Sequence, residues 1–303
     1  QSAFSPVTDA VLFEKAEFDS KTTSVLSRAS FFKIDQNALA LLREAAPERL
    51  RLTLPAAQGN PTVLELAKVD IFGPDFKVGT LGNFAEASVP FQPGVHYRGI
   101  VQGKNGSLAA VSLLSSGVMG LVADETGNYT LGALEHQPDH YVLYERRALA
   151  YDNPGRCAVE AEHEWVEDHE VQERNGACGG AVQVYFECDY KLFTDKGSDV
   201  TQTTAYVTGL FNQVATLYAN DNISVAISEV YVWTSPDPYA SYGSTASVLN
   251  VFRSTKGVQF NGNVAHFLTT RNLGGGIAYV DVICSKSNAF GVGAINTSYR
   301  DVP

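Results

Sequence analysis

The chain has 303 residues, 45% apolar, 18% charged and 11% aromatic, a length and balance that suit about two globular domains with sizeable cores. Its net charge of −11 argues against nucleic acid as a partner, because a phosphate backbone would be repelled. No run approaches the ~20 apolar residues that a membrane-spanning helix needs. The chain opens on Gln1 and mixed polar sequence without a signal peptide, so a leader removed on export is the expectation.

Residues 1–151 read as a β-rich domain with one helix. Asp35 is placed to cap a helix running from Asn37 through Leu39, Leu41 and Leu42 toward Ala46, and Pro47 stops it. Strand-like runs follow at Leu50–Leu54, Val63–Phe72, His96–Gln102, Ser107–Leu114, Gly117–Ala123 and Tyr129–Leu134. Turn sequences at 104–106, 115–117 and 125–128, each containing glycine, predict an antiparallel meander. Nothing in this half gathers polar groups into a catalytic set.

Residues 152–180 are a connector. Eight acidic residues stand against Arg156 and Arg174 between positions 152 and 175, and apolar periodicity is poor. Such a segment is a solvated spacer or, in a zymogen, the place that is cut. From Ala181 strand and helix patterns alternate. Val182–Leu192 reads as a strand, and Ser198 or Asp199 caps a long helix to about Ala219. Its expected broad apolar face includes Val207, Leu210, Phe211, Val214, Leu217 and Tyr218. Ile223–Thr234 is a strand, Ala246–Thr255 a helix ending near Gly257, and Val264–Thr269 and Gly276–Cys284 are further strands. This order favours an α/β sheet covered by helices.

The second half resembles the catalytic domain of metzincins of the adamalysin, or reprolysin, branch. Val182–Asp189 followed by Tyr190-Lys191-Leu192-Phe193 is similar to that branch's opening strand, which ends in Asp. Asn263–Thr269 resembles its D-x-A-x-L-L-T stretch. Gly276–Val280 with Cys284 resembles G-x-A-x-x-G-x-x-C, with Asp281 in place of the second glycine. His96–Val101 and Leu108–Ser112 resemble the pro-domains of reprolysin-like proteases secreted by bacteria. The implied fold is α+β: a β-rich pro-domain over residues 1–151 followed by a partial α/β metzincin catalytic domain over residues 181–303. The implied protein is the precursor portion of a zinc metalloendopeptidase, secreted or at the cell surface.

The resemblance also implies site residues. Gly276, Ile277, Ala278, Tyr279 and Val280 match the edge strand that pairs with an extended peptide or protein substrate. Cys157 is the candidate for a cysteine switch, a thiolate that displaces the catalytic water from zinc; a disulfide is its alternative. A calcium site of some relatives falls on Gln183 and Asn263, amides where carboxylates would be needed, so no calcium is expected. Zinc is expected for the complete protease, but H-E-x-x-H-x-x-G-x-x-H is absent from the 303 residues. No catalytic or metal residue is therefore assigned within them, and the remaining catalytic half is expected on further polypeptide, as a continuation or a separate chain.

The other cysteines are Cys178, Cys188 and Cys284. With residues 181–188 extended, Cys188 lies about 23 Å from Ala181, of which three residues recover at most about 11 Å. A disulfide needs Cα atoms within about 7 Å, so Cys178–Cys188 is disfavoured and Cys157–Cys178 is feasible. In the family, the partner of the cysteine matched by Cys284 lies later in the catalytic domain. The alternative function is a non-catalytic secreted binding or surface-assembly module of metzincin-derived fold. A metal-free hydrolase lacks support, because no G-x-S-x-G elbow occurs.

Overall fold

The structure is a computed structural model that describes residues 6–16, 29–55, 61–82, 87–134, 137–145, 180–283 and 285–295. Asp35 starts α1 (Gln36–Ala45), its carboxylate accepting from the backbone N–H groups of Asn37 and Ala38. Left-handed Ala46 ends the helix, ahead of Pro47. Leu39 and Leu42 are buried, while Leu41 between them faces solvent, as helical spacing requires.

Alternation along the strands builds a ten-stranded sheet. In β4 (Arg49–Leu54) and β5 (Thr62–Val69), Leu50, Leu52, Leu54, Leu64 and Leu66 all turn into one core with Tyr97, Val111, Leu113 and Tyr141. The expected meander is present as β8 (Val95–Val101), β9 (Leu108–Leu114), β10 (Gly117–Asp124) and β11 (Gly127–Leu134), and it continues into a strand the sequence reading did not expect, β12 (Gln137–Glu145). The sheet is completed by β1 (Val7–Val11) beside β4, and by β3 (Ala29–Ile34) and β2 (Phe13–Lys15) beyond β12.

Val63–Phe72 is not one strand. β5 ends at Val69, Asp70 accepts from the Phe72 N–H, and Ile71 is fully buried in a different core. β6 (Phe72–Leu81) leaves the first sheet and pairs in parallel with β14 (Val225–Trp233), while β7 (Ala87–Val89) folds back on β6. Pro74 sits where β6 bulges away from Ile227–Glu229, so its missing N–H costs no ladder bond.

The second sheet has seven strands in the order β16-β17-β15-β13-β14-β6-β7. β13 (Val182–Cys188), β14, β15 (Val264–Thr269), β17 (Phe290–Ala294) and β6 run parallel. β16 (Gly276–Ala278) runs antiparallel at one edge. The strand expected over Val182–Leu192 stops at Cys188, because the buried Asp189 carboxylate caps α2 (Tyr190–Asp195) through the Leu192 N–H. The strand expected over Gly276–Cys284 is shorter too: Asp281 takes φ 58°, a left-handed turn that ends pairing and that Asp tolerates better than most residues.

Asp199 caps α3 (Val200–Asn220), and Ser244 caps α4 (Thr245–Lys256), which closes at Gly257. α3 does not present the single apolar face expected. Val207, Phe211 and Ala215 pack on the second sheet, but Val214, Leu217 and Tyr218 are exposed. An adjoining side, with buried Thr208 and Asn212, meets the first sheet. Asn212 donates to the carbonyls of Tyr97 and Val111 and to Ser112, and accepts from Arg98 Nε. A Cβ at Gly209 would lie 2.7 Å from Met119 Sδ, so glycine there permits the close approach of β10. Among the described residues, no helix is long and apolar enough to cross a membrane.

Candidate functional site

The open edge of the second sheet is made by β16 and its entry loop. Gly274 and Gly275 take φ 89° and 103°, conformations that glycine adopts without strain. They turn the chain so that Gly276, Ile277 and Ala278 lie opposite Gly293, Val292 and Gly291. Ala294 N–H donates to Gly275 C=O, and Tyr279 N–H donates to Phe290 C=O. Antiparallel hydrogen bonding alternates along a strand. Positions 275, 277 and 279 therefore spend their backbone groups on β17, and those of Gly276 and Ala278 face outward. Among the described strands nothing pairs with that side of β16.

Side chains hold the strand in place. Ile277 and Tyr279 pack against the core around Phe252, Phe267 and Phe290. The Tyr279 hydroxyl donates to Asn250 Oδ1 at 2.8 Å, and the Arg253 guanidinium lies 5.1 Å from the Tyr279 ring centre. Arg253 also donates to Asn288 Oδ1 at 2.9 Å, so α4 holds both the end of β16 and the turn before β17. Val280, by contrast, is 72% exposed. Of the five edge residues singled out in the sequence, three form strand and Tyr279 adds one more bond. Val280 lies beyond the pairing.

At the ends of the central strands, Asp189 accepts from Thr269 Oγ1 and from Arg271 Nε at 3.1 Å. Burial pushes its carboxyl pKa up, against the pull of these donors and the Leu192 N–H. Arg271 Nη1 reaches the carbonyls of Tyr239, Ala240 and Tyr242 and so ties the loop before α4 to the sheet.

A cluster that the sequence reading missed surrounds Glu187, 1% exposed. Its carboxylate accepts from Tyr185, Tyr239 and Trp233 Nε1 at 2.9, 3.0 and 2.7 Å, and faces Lys256 Nζ at 3.4 Å. Lys256 also donates to Tyr185 Oη at 2.6 Å and lies 4.4 Å from that ring's centre. Burial first, then the Glu187 charge, drives the Tyr185 phenol pKa well above its ordinary value. The group borders a cavity of about 280 Å³ lined also by Leu81 and Tyr231. With both carboxylate oxygens engaged, Glu187 organises the sheet and is not a free base. One signal was available: Glu187 is the single charged residue of β13, two residues from Tyr185 and so on the same face.

The described histidines do not converge. His96 Nδ1 is bonded to Ser112 Oγ at 2.9 Å, and burial lowers its pKa to about 3. His266 sits in the other sheet against Phe186 and the glycines of β17, its pKa lowered by burial to about 4. No group of three or more His, Cys, Asp or Glu able to hold a metal occurs among the described residues. The described residues do not fit a catalytic zinc. Gln183 and Asn263 bond to each other: Asn263 Oδ1 accepts from Gln183 N–H, and Asn263 N–H donates to Gln183 C=O. Cys188 is free and fully buried, and burial drives its thiol pKa up. Cys157, Cys178, Cys284, His136, His163 and His169 lie outside the described residues.

Comparison with known proteins bears on the second sheet. The Reprolysin_5 family model, metallo-peptidase family M12, matches residues 180–302. Disintegrin and metalloproteinase domain-containing protein 9 of Homo sapiens is 24% identical over 260 residues, 78% of this chain and 32% of that protein. The chain thus spans about a third of the length of this curated relative. Among solved structures, metalloproteinase-II from Bacteroides fragilis aligns over 87% of this chain and 80% of its own, with 10% identity and a TM-score of 0.43. A chaperone–substrate complex aligns over 47% of this chain and 88% of its own, with 12% identity and a TM-score of 0.28. Residues 180–302 are thus similar to the M12 metallopeptidase family, and the similarity to a metalloproteinase extends over much of the chain.

Proposed function

We propose that this chain is the precursor portion of a secreted zinc metalloendopeptidase, in which β16 receives an extended peptide substrate by strand addition. The observation that carries the reading is an M12-matching segment whose antiparallel edge strand turns backbone groups outward at Gly276 and Ala278. An extended peptide satisfies such groups with its own backbone, at a register independent of most of its side chains. The M12 family implies zinc for the intact enzyme. Because the three-histidine motif is absent from the 303 residues, the reading assigns zinc binding to polypeptide beyond them, as a continuation or a partner chain. Residues 1–151 would act as the pro-domain and residues 152–180 as the segment cut on maturation, with Cys157 the thiol available for latency.

The test is intact mass, metal analysis and peptidase assay on material from the native source. A complex carrying more polypeptide than this 32.7 kDa chain, about one zinc as a three-histidine site would hold, and chelator-sensitive peptidase activity is expected. A complete protein of 32.7 kDa with no zinc and no peptidase activity would overturn it in favour of a non-catalytic binding module.

A further inference from the structure

The N-terminal half and the M12-like sheet share strands and a core. Between β5 and β8 the chain crosses from the ten-stranded sheet into the seven-stranded one and back, carrying β6 and β7 as a hairpin. Ile71, at the crossing, is fully buried among Phe186, Val207, Phe211 and Ile227, and its carbonyl accepts from the Ile227 N–H. Thus the core beneath α3 is completed by a residue from the N-terminal half.

The seam is fitted in detail. A Cβ at Gly79 would stand 2.2 Å from the Tyr231 ring, and one at Gly73 would stand 2.2 Å from Gln183 Oε1. Both glycines leave room for side chains of the other half. Lys77 on β6 pairs with Glu229 on β14 at 3.0 Å, where Glu229 is 6% exposed. Leu81 helps to line the cavity beside Glu187. Behind the hairpin, the Phe72 and Phe76 rings meet at a tilt with centres 4.3 Å apart, Phe72 meets the His96 ring at 5.7 Å, and Phe76 meets Phe91 at 6.2 Å.

This docking edge is not the open edge. β6 and β16 are separated by β17, β15, β13 and β14, about 24 Å at the usual inter-strand spacing. A molecule with β6 in place therefore still offers Gly276 and Ala278 to a partner strand.

We infer that residues 1–145 are a permanent strand-donating subunit of the M12-like domain: cutting the connector yields a stable two-chain complex rather than release of the N-terminal part. The seam contacts named above, from Ile71 to Phe91 on one side and from Gln183 to Tyr231 on the other, lie outside the connector, so hydrolysis there leaves them in place. The inference does not depend on the peptidase reading, because its readouts are mass and association.

The experiment places a recognition sequence for a specific protease between Glu162 and His163 of the full chain and cleaves it to completion. Gel filtration and native mass spectrometry then follow in non-denaturing buffer at micromolar concentration. Both fragments are expected to co-elute at the volume of the uncut protein and to separate only in denaturant. Fragments that part in native buffer overturn the inference. Lys77→Glu, which sets a like charge against Glu229, and Gly79→Val, which drives a side chain into Tyr231, are each expected to speed release after cutting at least tenfold. Lys77 is half-exposed, so its variant keeps the test open should Gly79→Val not fold. Release no faster in the folded variants overturns the role of β6.

Discussion

Glu187 shows how one side chain orders several others. Three neutral donors and an ammonium converge on a carboxylate that has left water, and each would be left short if the charge were removed. Burying a charge is tolerable only when its partners are in place, and deleting one partner of a buried pair strands the other. Glu187→Gln is therefore expected to destabilise the fold by about 3 kcal/mol, read as a lower denaturant midpoint with an unchanged slope. A loss below the scatter of surface substitutions would mean that Lys256 finds another counter-charge or water. Asp189 was legible as the residue closing the opening strand. Its bonds to Thr269 and Arg271 span some eighty residues of sequence, so no local pattern exposes them.

For the elements, caps read well and ends of strands read less well. Asp35, Asp199 and Gly257 stand where the helix boundaries were expected, because a cap is a bond between a side chain and a backbone a few residues away. Strand lengths depend on neighbours. Val182–Leu192 and Gly276–Cys284 both look extended as sequence, yet the first yields to a buried cap and the second to a left-handed Asp281. The short β16 makes a sharp prediction. Ala278→Pro removes an outward N–H, leaves the inward bonds of Ile277 and Tyr279 in place, and is expected to weaken binding of an extended peptide at least tenfold, the equivalent of roughly 1.4 kcal/mol. Isothermal titration against a peptide of the substrate class measures it, with Val280→Thr as the comparison that should bind normally. Equal affinities would show that peptide does not pair with β16.

At the scale of the molecule, α3 is a layer shared by the two sheets, and a polar cluster around Asn212 lies where it meets the first. His96, 2% exposed, lies there between Ser112, the Phe72 ring and Arg98. Its pKa falls to about 3 in the folded chain, against about 6.5 for an unperturbed His. The unfolded chain therefore takes up the proton first. Stability present at neutral pH is lost as pH drops below about 6.5, by up to ~1.4 kcal/mol per unit for this one group. The loss levels off near the folded value. Thermal melts of the uncut chain from pH 7 to 4 should fall more steeply than those of His96→Gln. Parallel curves would remove His96 from the account.

The amino-acid sequence alone determined the caps at Asp35, Asp199 and Gly257, the four meander strands between His96 and Leu134, and the alternation of strand and helix from Val182 to Thr269. Each is written in local spacing or short turns, where the interacting groups lie within a few residues. Only the tertiary structure decided that β6 and β7 belong to the second sheet and that Ile71 fills its core. It also decided that Thr208 and Asn212 face a second layer, and that Glu187 gathers Tyr239, Trp233 and Lys256. These depend on contacts between segments far apart in the chain. A run such as Val63–Phe72 has the same apolar pattern whether it stays in one sheet or crosses to another. Which sheet receives it is settled by the pairing that β14 offers, by the room left at Gly73 and Gly79, and by the charge at Glu229.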